Sequence, residues 1–203
     1  MTGDYVVHIV DDEEPVRKSL AFLLTVEGFA VRLHESATAF LEFAPSIRRA
    51  CLVTDLRMPD IDGVELLRRL RDKGVRMPAI VISGHGDVPM AVAAMKAGAV
   101  DFIEKPFEDQ VLIDSIRRAV ELIADDPGAD VQEFSRRLST LTDREREVMS
   151  GIVAGLPNKS IAYDLDISPR TVEVHRASIM SKMSARNLPE LVRMAIALNL
   201  LHQ

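Results

Sequence analysis

The chain has 203 residues, 47 % of them hydrophobic and 28 % charged, with a formal net charge of −6. That balance belongs to ordinary folded soluble proteins and excludes wholesale disorder, collagen and low-complexity arrays. Apolar runs stay short of the ~18 residues that cross a bilayer, residues 1–14 lack the basic start of a signal peptide, and the single cysteine, Cys51, has no internal partner. A cytoplasmic protein without membrane association is expected.

Charge is unevenly distributed. Residues 1–124 hold 15 basic and 20 acidic side chains, whereas residues 137–203 hold nine basic and seven acidic. Two domains with different partners are expected, the second permitting nucleic acid without requiring it.

Strand-like runs at Val6–Val10, Ala30–His34, Cys51–Thr54, Ala79–Ser83 and Val100–Ile103 alternate with stretches of helical spacing, as in Val16, Leu20, Leu23, Leu24 and Val64, Leu67, Leu70. The alternation predicts an α/β domain: a doubly wound, five-stranded parallel sheet with strands one, three and four at its centre. Ligand chemistry in such sheets lies beyond the carboxyl ends of the strands. There the sequence places Asp11-Asp12, Asp55, Ser83 and Lys105-Pro106. Singly, each has a bland explanation: a solvated helix start, a strand-end hydroxyl, a surface lysine. Their coincidence at four strand ends is harder to explain away.

The set is chemically coherent. Gathered carboxylates repel unless a divalent cation sits among them, and hard oxygen donors suit Mg²⁺. A carboxylate beside that ion can attack phosphorus to give an acyl phosphate, with lysine and serine stabilising the phosphoryl oxygens. No G-x-x-x-x-G-K-[ST] is present, so the phosphoryl group must arrive from elsewhere.

Val10-Asp11-Asp12-Glu13, Thr54-Asp55-Leu56-Arg57-Met58-Pro59, Gly63, Ser83-Gly84-His85-Gly86-Asp87 and Ile103-Glu104-Lys105-Pro106-Phe107 together resemble the receiver domain of bacterial response regulators, a flavodoxin/CheY-like fold, over residues 5–121. The resemblance implies that Asp55 is the phosphoacceptor. It also implies that Asp12 and Asp55 bind Mg²⁺ directly, Asp11 through water, and that the Arg57 carbonyl is a further ligand. Lys105 would hold the phosphoryl oxygens, Lys105-Pro106 would be a cis peptide, and Ser83 with Phe102 would form the switch pair. Serine where threonine is commoner is a mild departure.

The stretch Ala124–Asp130, with Pro-Gly among three acids, reads as a linker, and 124–137 separates a receiver at 1–123 from a second domain at 138–203. There strand signals stop and a small four-helix module is expected. Thr142 and Glu145 form a capping box, a second helix begins near Asn158, a third starts with Ser168 as cap and Pro169 inside it, and a fourth follows Pro189. On the third helix Val172, Ile179 and Met183 share a core face with His175 alongside, while Arg170, Glu173, Val174 and Ala177 lie opposite. Such a helix suits a major groove, although the pattern alone equally describes a bundle docking on protein.

The motifs at 141–148, 155–162 and 167–175 resemble the LuxR-type helix-turn-helix over residues 138–201, and with the receiver they resemble the NarL/FixJ group, its FixJ branch in particular. This implies a transcription factor activated by a FixL-like sensor histidine kinase, controlling nitrogen-fixation or microaerobic genes at promoter DNA, with RNA polymerase a possible further partner. It would not be an enzyme beyond slow self-dephosphorylation. A homodimer is expected on phosphorylation, through the Val88–Val120 face. Lys159, Thr171, Arg176 and Lys182 are the candidate phosphate contacts, with Asn158 at a helix start. Glu173 could accept from cytosine N4, and Val174 and Ala177 could meet a thymine methyl; Arg170 and His175 complete the set. Glu173 stands where the wider group often has lysine, so base preference does not transfer there. Two rivals remain: a phosphorelay or protein-binding adaptor that never touches DNA, and an aspartyl-phosphate hydrolase, which would want a second acid where Arg57 stands.

Overall fold

The structure is a computed structural model describing residues 5–44, 47, 49–75, 77–84, 88–121 and 127–198. It divides into two compact units, Met1–Gly86 with Ala97–Asp125, and Asp87–Lys96 with Asp126–Gln203.

The front of the chain alternates β1 (Val6–Val10), α1 (Glu14–Val26), β2 (Ala30–His34), α2 (Ala37–Phe43), β3 (Ala50–Asp55), α3 (Gly63–Asp72), β4 (Ala79–Ser83), α4 (Val88–Ala97), β5 (Asp101–Glu104) and α5 (Asp109–Glu121). All strand pairs are parallel, in the order β2-β1-β3-β4-β5. The three most continuously apolar strands are central, as expected, because a parallel strand in mid-sheet is covered on both faces. Every residue of β4 is buried, as are the first five of β3, including the Cys51 thiol, whereas β2 lies at an edge and is largely exposed. Ile9, Val53, Ile80, Ile82 and Ile103 from the sheet meet Leu24 of α1 and Leu112 and Ile116 of α5 in one core. Chain order reverses between β1 and β3, so a crevice is expected beyond their carboxyl ends.

The back of the chain holds α6 (Pro127–Ser139), α7 (Asp143–Val153), α8 (Asn158–Asp164), α9 (Pro169–Met183) and α10 (Leu188–Ala197). The capping box at Thr142 and Glu145 is present, and the Ser168 hydroxyl accepts from the Thr171 N–H at the start of α9. The turn α8–α9 passes through Asp166 at φ 53°, a left-handed position that aspartate tolerates better than most residues. Val148, Ile152, Ile161, Val172, Ile179, Met183, Leu191 and Met194 make the second core.

Most of the expected linker 124–137 is helical, as part of α6. Pro127 stands at its first position, where the missing N–H breaks no helical bond. Further along, Phe134 and Leu138, one turn apart, pack on the helical core. The Pro-Gly pair and its acids masked that spacing.

Candidate functional site

Each strand end contributes one group to the crevice. Asp11 directly follows β1, Asp55 ends β3, Ser83 ends β4 and Lys105 follows β5. The Lys105 ammonium bridges the two carboxylates, 2.7 Å from Asp55 Oδ1 and 3.5 Å from Asp11 Oδ2. Backbone donors hold the other oxygens: Arg57 N–H donates to Asp55 Oδ2 at 2.6 Å, and Glu13 N–H donates to Asp11 Oδ1 at 2.8 Å. The Arg17 guanidinium donates to the Asp11 carbonyl, pinning the first turn of α1 to the site.

The loops are held as firmly as the side chains. Leu56 N–H reaches Ile82 O and Lys105 N–H reaches Ser83 O, each at 2.8 Å, so the β3, β4 and β5 ends keep fixed separations. Gly63 begins α3 where a Cβ would stand 2.6 Å from the Asp55 carbonyl oxygen. Only glycine allows the helix to start so close to the phosphoacceptor candidate. Lys105-Pro106 is cis.

Electrostatics follow from burial. Burial raises the pKa of Asp11, and the Asp55 charge adds to it against the Glu13 N–H and Lys105. Burial opposes the charge on Lys105, but its hydrogen bond to Asp55 and the two carboxylates together outweigh that and raise its pKa. A fixed cation therefore stands against the Asp55 carboxylate, where negative charge would accumulate on a phosphoryl group bound there.

Of the expected metal set, Asp11 and Asp55 are brought together as all-oxygen donors of the kind Mg²⁺ takes, and each adds charge that a divalent cation would neutralise. Asp12 is exposed instead. Among the described residues no three acidic, histidine or cysteine side chains stand ready around one ion. Ser83 is buried and Phe102 half-buried; His85, Gly86 and Asp87 of the Ser83 motif lie outside the described residues. On the expected dimer face, Val92 and Met95 are buried and Val88 and Met90 half-buried, while Val111 on α5 is 44 % exposed.

In the helical unit, α9 divides its faces as its sequence predicts. Val172, Ile179 and Met183 are fully buried, and Arg170, Glu173, Val174 and Ala177 are exposed, Val174 by 64 %. Lys159 is exposed, and Thr171 and His175 are half-buried. Thr171 shares a 2.8 Å hydrogen bond with Ser168. Arg176 donates to Asn158 Oδ1 at 3.0 Å, so these two candidates for DNA contact hold one another. Lys182 is the clear departure. Its ammonium is 2.7 Å from the buried Glu145 carboxylate rather than displayed for a phosphate.

Three groupings escaped sequence reasoning. Glu145 was legible as a cap, not as the partner of α9. His8 on β1 and His34 on β2 stack, with ring nitrogens 2.9 Å apart, beside Phe40 and Phe43. Asp101 accepts from Ser115 and Arg118 on α5; the apolar periodicity of α5 carries no signal for it.

Residues 7–117 match the response regulator receiver domain, and residues 139–195 match the bacterial regulatory proteins of the luxR family. The chain belongs to the response regulators: it joins a receiver to a LuxR-type DNA-binding domain and is a phosphorylation-activated transcriptional regulator of the FixJ type. It is 69 % identical to the transcriptional regulatory protein FixJ of Rhizobium meliloti over 196 residues, 96 % of each chain. To FixJ of Bradyrhizobium diazoefficiens it is 47 % identical over 205 residues, covering both chains completely. Among solved structures, full-length FixJ from B. japonicum matches all of both chains at TM-score 0.56 and 46 % identity. The crystal structure of FixJ-N matches 58 % of this chain and 94 % of its own at TM-score 0.57 and 73 % identity. Among the described residues no helix is long and apolar enough to cross a membrane.

Proposed function

We propose that Asp55 accepts a phosphoryl group from a FixL-like sensor histidine kinase, and that the acyl phosphate so formed licenses promoter binding through α9. The observation that carries this reading is the Lys105 ammonium, held between Asp55 and Asp11 at the strand ends. A carboxylate oxygen of Asp55 attacks phosphorus, the P–N bond of a phosphohistidine breaks, and a P–O bond forms. Lys105 neutralises the transferred oxygens, while the Arg57 N–H keeps the carboxylate oriented. Asp12, Asp55 and the Arg57 carbonyl would hold Mg²⁺, with Asp11 acting through water; the ion would supply charge neutralisation at the phosphoryl group. Ser83 and Phe102 form the switch, and the dimer face runs from Val88 to Val120. The receiver occupies 1–123 and the output domain 138–203 of a cytoplasmic protein without enzymatic turnover beyond slow self-dephosphorylation.

On the DNA side, the exposed stripe of α9 reads bases: Glu173 at cytosine N4, and Val174 and Ala177 at thymine methyls. Lys159, Thr171 and Arg176, with Asn158 at a helix start, supply contacts to the DNA backbone, and Arg170 and His175 complete the set. The relatives' name points to a FixJ-type regulon of nitrogen-fixation or microaerobic genes, with RNA polymerase as a partner at the promoter. Asp55→Asn should abolish labelling by acetyl phosphate in Mg²⁺ and the accompanying gain in promoter retardation on gels. A base-labile phosphate on that variant would refute the acceptor assignment. Unchanged retardation of promoter DNA with and without acetyl phosphate would favour the adaptor reading.

A further inference from the structure

Glu145 is buried at the start of α7, and it does more than cap that helix. Its Oε2 accepts from the Thr142 N–H at 2.8 Å, the Thr142 hydroxyl at 3.0 Å and Lys182 Nζ at 2.7 Å. Its Oε1 accepts from the Ser178 hydroxyl at 2.6 Å. Capping needs only Thr142. Ser178 and Lys182 sit one turn apart on α9, so the same carboxylate fastens two helices together.

Their place on α9 gives the fastening a consequence. At about 100° per residue, Ser178 and Lys182 lie on the flank between the buried line Val172–Ile179–Met183 and the exposed stripe of Arg170, Glu173, Val174, Ala177 and Ser181. Apolar packing at the buried line is non-directional. Hydrogen bonds to the flank are directional, and they resist rotation of α9 about its own axis. Side-chain tips stand ~5 Å from a helix axis, so a turn of ~10° moves them by ~1 Å. That displacement takes a base-edge contact out of hydrogen-bonding range.

We propose that Glu145, Ser178 and Lys182 are positioning residues for base reading: the carboxylate sets the rotation of α9, and Lys182 acts through Glu145 rather than on a DNA phosphate. The inference rests on the reading that the stripe of α9 enters the groove. The hydrogen bond from Lys182, followed by those from Ser178 and Thr142, lowers the pKa of Glu145 to about 2. The clamp therefore stays charged at any physiological pH.

The test uses the full chain treated with acetyl phosphate. Its probes are a duplex enriched from a random pool by the native protein and a scrambled duplex, each titrated across a salt series. Lys182→Met, Ser178→Ala and Glu145→Gln should each weaken binding to the enriched duplex about tenfold, as partial loss of base contacts would. Binding to the scrambled duplex and the salt slope should not change. The Lys182→Met/Ser178→Ala double variant should lose less than the product of the single losses, because both act through one carboxylate. A merely structural weakening of the unit would move both duplexes together. Equal loss on both duplexes for Lys182→Met, with the salt slope reduced by ~0.9 per contact, would make Lys182 a phosphate ligand and overturn the proposal. So would full specific affinity in Ser178→Ala. If Glu145→Gln unfolds the helical unit by circular dichroism, the Ser178 and Lys182 pair decides the matter alone. Should the native chain enrich no sequence, DNA reading by α9 fails and the positioning role falls with it; enrichment followed by variants of unchanged specificity refutes the positioning role only.

Discussion

Acid should destabilise the receiver through His8, by an amount that follows from where the ring sits. His8 is 2 % exposed, and burial, then the neighbouring His34 and Arg32, lower its pKa from 6.5 to about 4. The His8–His34 hydrogen bond at 2.9 Å needs one ring nitrogen as donor and the other as acceptor, an arrangement that two imidazolium rings cannot make. Because the folded-state pKa is depressed, the unfolded chain binds the proton more readily. The contribution to stability is complete above pH 6.5 and drains away as pH falls from 6.5 towards 4. At pH 5 this single ring accounts for a loss of ~2 kcal/mol, rising to a limit of ~3 kcal/mol below pH 4. His34, whose pKa is also lowered by burial first and then by Arg32, adds in the same direction. Urea unfolding of the full chain, followed by circular dichroism at pH 7 and pH 5, measures the loss. His8→Phe keeps a ring against Phe40 and removes the titrating group, so its unfolding midpoint should move much less between the two pH values. If native and variant lose stability in parallel, the pair does not carry the acid sensitivity and the argument from its burial is wrong.

Further outcomes are expected at the two functional surfaces. Gly63→Ala should slow phosphorylation of Asp55 by acetyl phosphate and destabilise the receiver by ~1–3 kcal/mol, because its methyl meets the Asp55 carbonyl oxygen at 2.6 Å; an unchanged labelling rate would refute the close approach. Lys105→Met removes the cation bridging Asp55 and Asp11, so acyl phosphate should still form but without the phosphate-dependent gain in promoter binding, measured by gel retardation. Glu173→Ala should lower specific affinity by ~1–3 kcal/mol per half-site if the acid accepts from cytosine, while scrambled duplexes bind as well or better; a rise on both duplexes would make Glu173 a solvated charge.

The acidic crevice was legible because its parts sit at the ends of runs whose period is set by the backbone. Asp11, Asp55, Ser83 and Lys105 each close a strand, and a parallel sheet carries all strand ends to one edge. The two faces of α9 were legible for the same reason, since Ser168 and Pro169 fix where its period begins. Partners separated by long stretches of chain were not. Nothing in the spacing of Glu145 and Lys182 says that α9 crosses α7 at that point. His8 meets His34 only through the pairing of β1 with β2, where His8 lies opposite Arg32 and His34 opposite Val10. That Asp11 is buried and Asp12 exposed was not legible either, because adjacent residues at a strand end differ in burial by the exact turn of the loop, and composition carries no signal for that turn. α6 was missed where local punctuation outweighed a two-residue apolar anchor.

The buried thiol in β3 has a practical consequence. Cys51 is wholly enclosed, and burial pushes its pKa up to about 12, so almost none of it is the thiolate that alkylating reagents and oxidants attack. As the only cysteine in the sequence, it leaves the folded chain chemically silent towards maleimides. A cysteine introduced on an exposed site such as Phe22 or Tyr163 would carry a label by itself, and spectroscopic distances from it could follow activation without first altering the sheet.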